Sequence, residues 1–183
     1  MKTNLEVMQL LIAEISQELV DQLQIRQGDS VLIKYGEDNN MWIVQNVLTS
    51  TLKKKDYHVF SHDSGDRISN FHIDVVNVDL QVSYDGMFRD GFFGMKKVKR
   101  MVSASLSCQA TKTLTSEILY SGSNTKQFTD TVSLDDIDKI ESQSIKSTKA
   151  KVPSEPFLDR IVEPFVIIGV TGLTIYLFFQ VRS

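Results

Sequence analysis

The stretch Val76-Asn77-Val78-Asp79-Leu80-Gln81-Val82-Ser83-Tyr84 decides the fold. Even positions are apolar and odd positions polar, a period of two that belongs to a strand with one face in a core and the other in water. Just upstream the phase inverts, because Phe71, Ile73 and Val75 are apolar against His72 and Asp74. A slip of one residue would turn the whole apolar set to the wrong face, so the phase change at Val75-Val76 predicts a bulge or bend. A second alternation follows downstream. Val98, Arg100, Val102, Ala104, Leu106, Cys108 and Ala110 share one face, and Lys97, Lys99, Ser103, Ser105, Ser107 and Gln109 the other. Two such strands in succession predict a long antiparallel hairpin, whose glycine-punctuated connection over residues 85–94 exceeds an ordinary hairpin loop. Ile118-Leu119-Tyr120 predicts a further strand.

Upstream of this hairpin, Leu5, Met8, Ile12, Ile15, Leu19 and Leu23 step by three and four, which predicts an amphipathic N-terminal helix ended by Gln27-Gly28-Asp29. Ser30-Val31-Leu32-Ile33-Lys34-Tyr35 reads as a buried strand. A second helix carries Met41, Val44, Val47, Leu48 and Leu52, with Asn39 or Asn40 as its cap, Trp42 turned to the core and Lys53-Lys54-Lys55 at its C-terminal end. Tyr57-His58-Val59-Phe60 then returns as a strand. Strand, helix, strand is a crossover unit, so its two strands are expected to run parallel in one sheet.

Past the hairpin, Leu134, Ile137 and Ile140 predict a short closing helix with Ser133 and Asp136 spaced as a capping box. Residues 142–156 are poor in large apolar side chains and rich in Ser, Lys, Thr and Pro, the composition of a solvated tether. Residues 164–181 carry no charge. At roughly 1.5 Å per residue such a helix covers about 27 Å, close to the roughly 30 Å hydrocarbon thickness of a bilayer. The fold class expected is therefore α+β. An N-terminal helix, a strand-helix-strand unit, a long antiparallel hairpin and a further strand form a domain over 1–141, joined by a linker over 142–156 to a single transmembrane anchor over 157–183.

Lys146, Lys149, Lys151 and Arg160 precede the anchor and Arg182 follows it, while Met1-Lys2-Thr3-Asn4-Leu5-Glu6 lacks the apolar stretch of a secretory signal. Both features place the domain on the cytoplasmic side. A start that had lost its leader would place it in the periplasm instead.

Among 183 residues the formal net charge is −3, too small for bulk electrostatics to suggest a nucleic-acid partner. The single cysteine, Cys108, lies on an apolar strand face and is expected as a buried, unreactive thiol. No glycine-rich phosphate loop, nucleophile elbow or HExxH pattern occurs. No cofactor and no catalytic residue are expected.

Three groups of residues stand out as candidate sites. Met87, Phe88, Phe92 and Phe93 gather apolar side chains near the hairpin tip, suited to a protein partner unless they fold back onto the core. Lys96, Lys97, Lys99 and Arg100 adjoin them and suit anionic phospholipid headgroups, in an alternative reading as a lipid-binding module. A membrane-bound, metal-dependent hydrolase would draw on His58, His62, Asp63 and Asp66. Four residues of extended chain, about 13 Å, separate His58 from His62, and Asp63-Ser64-Gly65-Asp66 suits a polar turn.

The order helix, strand, helix, short strand, long hairpin, further strand resembles the small α/β domains of bacterial envelope accessory proteins, of the curli-secretion-channel and penicillin-binding-protein-activator type. Trp42 through Leu52, Lys55-Asp56-Tyr57-His58-Val59 and Arg100 through Gly122 carry the likeness, which spans about residues 10–122. That resemblance implies a non-catalytic envelope component that binds another protein. Members of the type are held by a lipidated N-terminal cysteine. No cysteine stands near the start of this chain, and a C-terminal anchor is expected in its place.

Overall fold

The computed structural model describes residues 1–23, 25–61, 69–89, 91, 94–154 and 157–181, with side chains over 165–180 alone in the last segment. Helix α1 spans Asn4–Gln22 and opens on a capping box, in which Thr3 Oγ1 accepts from Glu6 N at 3.2 Å and Glu6 Oε2 accepts from Thr3 N at 2.7 Å. Strand β1 (Ser30–Tyr35), helix α2 (Met41–Lys54) and strand β2 (His58–Phe60) form the crossover, and β1 pairs with β2 in parallel as its order implied. Asn40 precedes α2 without a side-chain cap bond. Its Oδ1 accepts instead from Ser147 Oγ at 2.9 Å.

Strands β3 (Phe71–Arg89), β4 (Lys96–Lys112) and β5 (Glu117–Ser133) form a long antiparallel meander, and β1 joins it in parallel to β3. The sheet has the order β2-β1-β3-β4-β5. The two phases of β3 belong to one strand, with the register shift between Val75 and Asn77. Val75 is buried and Val76 exposed, so the extra residue lets both apolar sets face the core. A second shift, between Asp85 and Met87, admits Gly86 at φ 54°.

One sheet face packs on α1 and α2. Met8, Ile12, Ile15 and Leu19 of α1, with Val44, Leu48 and Leu52 of α2, meet Ile73, Val78, Val102, Ala104 and Leu106 in the main core. The other face shows water a polar lattice in which Ser105 Oγ lies 3.0 Å from Ser123 Oγ and accepts from Thr125 Oγ1 at 2.9 Å. A smaller core beyond the helices contains Tyr84, Val98, Val132, Ile137 and Ile140. It is closed by a 3-10 turn (Leu134–Asp136) and helix α3 (Ile137–Ile140), and the expected Ser133 cap bond is absent.

Three expectations need correction, and a fourth lies partly outside the described residues. The strand foreseen at Ile118-Leu119-Tyr120 runs for 17 residues, because its polar continuation pairs with β4 along nearly its whole length. Trp42 is on the outer side of α2 at 42% exposure, not in the core. Residues 142–152 are no solvated tether: Thr148 is fully buried, its carbonyl accepts from Asn4 Nδ2 at 2.8 Å, and Ala150 and Val152 pack on the smaller core. Polar backbone groups captured by the domain hold this strap where apolar content alone would not. Finally, helix α4 spans Phe157–Val181, but the ends of the uncharged run, Pro164 and Val181, fall outside the described side chains. Among the described residues no helix is long and apolar enough to cross a membrane.

Candidate functional site

Met87 and Phe88 are strand residues, not loop residues, since β3 runs on to Arg89 and pairs Phe88 with Lys97. Met87 is half-buried against the smaller core. Phe88, on the opposite side of the pleat, is exposed at the hairpin tip. Phe92 and Phe93 lie outside the described residues.

The basic group divides as well. Lys99 is exposed and Lys96 and Lys97 half-buried, whereas Arg100 has no exposure at all and cannot meet a headgroup. Its guanidinium is fixed on three sides. Nε donates to Asp130 Oδ1 at 2.7 Å, Nη2 to Asp130 Oδ2 at 2.5 Å, and Nη1 to the Lys2 carbonyl at 3.0 Å and Asn4 Oδ1 at 2.8 Å. Asn4 Nδ2 in turn donates to the Tyr84 hydroxyl at 3.0 Å and to the Thr148 carbonyl. Arg100 therefore joins the N-terminus, the hairpin, β5 and the strap. Burial pushes the Tyr84 hydroxyl up to about 12. This is a structural hub whose polar atoms are spent on one another.

Of the metal-site residues, His58 is exposed at the start of β2, and His62, Asp63 and Asp66 lie outside the described residues. His72 Nε2 comes within 3.2 Å of Asp74 Oδ1, with no hydrogen bond formed by its ring nitrogen. Among the described residues no three or more His, Cys, Asp or Glu side chains converge on a metal-sized space. Cys108 is buried, and desolvation raises its thiol to about 11, so thiolate chemistry is closed to it at neutral pH.

A surface that the residue patterns did not single out lies on the helical layer. Leu10 and Ala13 of α1 face Asn46, Val47 and Ser50 of α2 across an open groove of about 800 Å³. Leu10 is 44% exposed there, and Trp42 lies one turn before Asn46 on α2. Leu10 sits off the three-and-four stepping of its helix, and that displacement is the signal in the sequence. The groove's lining is mixed, with Leu10, Ala13 and Val47 among Gln9, Asn46 and Ser50.

No protein-family model matches the chain, and no curated protein matches it. Solved structures do match. The C-terminal domain of LpoB from Salmonella enterica is 12% identical over 65% of this chain and 94% of its own, with a TM-score of 0.35. A neuraminyllactose-binding hemagglutinin homologue from Helicobacter pylori is 15% identical over 60% of this chain and 67% of its own, with a TM-score of 0.35. A lipoprotein from Neisseria meningitidis is 13% identical over 79% of this chain and 99% of its own, with a TM-score of 0.30. The C-terminal domain of LpoB and a lipoprotein thus stand among the chain's structural neighbours, at scores too low to carry a role over to this chain.

Proposed function

We propose that this chain is a membrane-tethered, non-catalytic module that binds another protein. Helix α4 is the observation that carries the reading. From Phe165 to Gln180 it bears no charge, and its apolar side chains, Ile168, Leu173 and Phe178 among them, point outward without cover. Its two threonine hydroxyls are satisfied internally: Thr171 Oγ1 donates to the Ile167 carbonyl at 2.7 Å and Thr174 Oγ1 to the Val170 carbonyl at 2.8 Å. A helix whose threonines bond back to its own carbonyls and whose apolar side chains are exposed all round is adapted to lipid, and Tyr176, near its end, suits the interfacial level. With Pro164 and Val181 the uncharged run reaches the length a bilayer asks for.

The protein-binding half of the reading rests on Phe88, Leu10 and Trp42, large apolar side chains that the domain leaves in water. Tethering confines the domain to a thin layer of solvent, so a modest affinity suffices for capture.

Fractionation of cells producing the full chain tests the tether. The chain should sediment with membranes, resist alkaline carbonate and need detergent for release; intact chain in the supernatant without detergent refutes the reading. For the second half, a photo-crosslinker at Leu10, Trp42 or Phe88 should give one discrete heterologous adduct in membranes, and none from Gln81 on the polar sheet face. Equal labelling from Gln81 would dismiss a defined contact surface.

A further inference from the structure

We infer that β5 is the dimerisation edge of this protein and that its occupant is the β5 of a second copy, paired antiparallel about a two-fold axis at Phe128. The two ends of the sheet are unlike. The β2 edge is three residues long, too short to template another strand, whereas β5 is a 17-residue edge paired on one side only among the described residues. From Ser121 to Ser133 it has no proline and no register shift, two of the devices that blunt an edge, and its two charges are each engaged within the chain. It is rich in threonine and largely exposed.

Its charges choose the occupant. Between residues 118 and 133 the strand carries two, Lys126 and Asp130, four positions apart on one face. A strand laid on this edge sets its own side chains opposite both, and complements them only where it carries an acid opposite Lys126 and a base opposite Asp130. A second copy in antiparallel register about residue 128 sets Lys126 opposite its Asp130, and Asp130 opposite its Lys126. Registers centred on 126 or 130 instead set like charges face to face, which is destabilising. Within the chain Lys126 already pairs with Glu18 of α1, and Asp130 with Arg100. The interface therefore extends each pair into a row of alternating sign, from Glu18 through Lys126 to the Asp130 and Arg100 of the second copy. At the axis the two Phe128 rings, 37% exposed in the single chain, cover one another. On the polar face Gln127 lies opposite Thr129 of the second copy, and Thr125 opposite its Thr131. A two-fold axis normal to the sheet keeps core face beside core face, so both sets of helices remain on one side.

Two variants read the register directly. Gln127 and Thr129 are exposed on the polar face, next to Ser103 and Met101 of β4. Light scattering on the full chain in detergent should give twice the chain mass for the native protein. Gln127→Lys with Thr129→Lys should give the single mass, because lysines then oppose lysines twice across the axis. Gln127→Lys with Thr129→Glu should restore the doubled mass, because each lysine then opposes a glutamate. Native protein at single mass throughout a dilution series overturns the inference, as does a double-lysine variant that stays dimeric or a lysine-glutamate variant that stays monomeric. A nitroxide on Thr125→Cys, with Cys108 buried and unlabelled, supplies a measurement free of charge changes. It should report an intermolecular separation of about 20 Å, six residues of strand, and an absent or much longer distance rejects the pairing.

Discussion

Arg100 and Asp130 form a two-point ion pair across β4 and β5, at 2.7 and 2.5 Å, with the guanidinium wholly out of water and the carboxylate 30% exposed. Their burial is unequal, and so are the consequences of removing either one. Asp130→Asn leaves a full positive charge in the interior, and a cost of about 3 kcal/mol is expected. Arg100→Met leaves a carboxylate that water already reaches, together with an unpaired Asn4 oxygen, and should cost less than Asp130→Asn. Urea unfolding of the two single variants and the double variant checks this order. The double variant should be more stable than Asp130→Asn alone.

The strap over 142–152 makes a second prediction. Lys146, Lys149 and Lys151 are trypsin sites that an unstructured tether would lose at once. Here Ser142 N donates to Thr148 Oγ1 at 2.9 Å, Ala150 N to Glu141 Oε1 at 3.1 Å, and the Thr148 carbonyl is held by Asn4. Cleavage must await local opening. Asn4→Ala removes the strap's hold on α1, and cleavage after these lysines should quicken about tenfold, corresponding to roughly 1.4 kcal/mol of lost local stability. Cleavage of the native chain as fast as that of a denatured control would return these residues to the status of a linker.

The legible parts of this fold were those in which one face is oil and the other water. The bulge at Val76 could be read because two adjacent valines cannot both point inward on an unbroken strand, and the crossover because helical and strand periods alternate around Gly28 and Gly36. Most of β5 could not. Beyond Tyr120 it turns few apolar side chains inward, so an exposed edge strand resembles a loop in composition. Arg100 suffered from the same gap. Its place among core-facing residues signals a buried partner, but Asp130 can be identified only once β5 and its register are known. The strap was hidden for a different reason, since backbone carbonyls leave no trace in a side-chain pattern. For the site, the pattern left open whether Met87 and Phe88 face core or water, and the α1–α2 groove needed the packing angle of two helices that no residue spacing specifies.

Alkaline pH should unfold the domain through two buried groups. Desolvation raises Cys108 from 9.0 to about 11, and burial of Tyr84 outweighs its bond from Asn4 and raises it from 10.0 to about 12. Below pH 9 both are protonated in folded and unfolded chains alike, and stability is at its full value. As pH rises from 9 to 12 the unfolded chain gives up these protons first, so the folded state binds more protons and stability falls. Chemical denaturation across that window should show the decline, and Tyr84→Phe should flatten its upper part. A stability that rises above pH 9 would contradict the burial of both groups.

The two bulges of β3 depend on glycines for opposite reasons, which one pair of substitutions separates. Gly36 has an ordinary φ but no room: a Cβ there would come within 2.8 Å of the Val76 carbonyl oxygen, on the residue that the bulge extrudes, while Gly36 N donates to the Val75 carbonyl at 2.9 Å. Gly86 has room but a φ of +54°, with no atom within 4 Å of its Cβ position. Alanine at Gly36 must push backbone against backbone, at a cost of about 1–3 kcal/mol. Alanine at Gly86 pays only for the left-handed conformation, about 1–2 kcal/mol. Asparagine distinguishes the two causes, because its side chain tolerates the left-handed region but is larger than alanine's. Gly86→Asn should recover much of what Gly86→Ala loses, whereas Gly36→Asn should fare worse than Gly36→Ala. Thermal melts of the four variants decide it, and an asparagine that rescued Gly36 would mean that conformation, not contact with Val76, selects glycine beside the bulge.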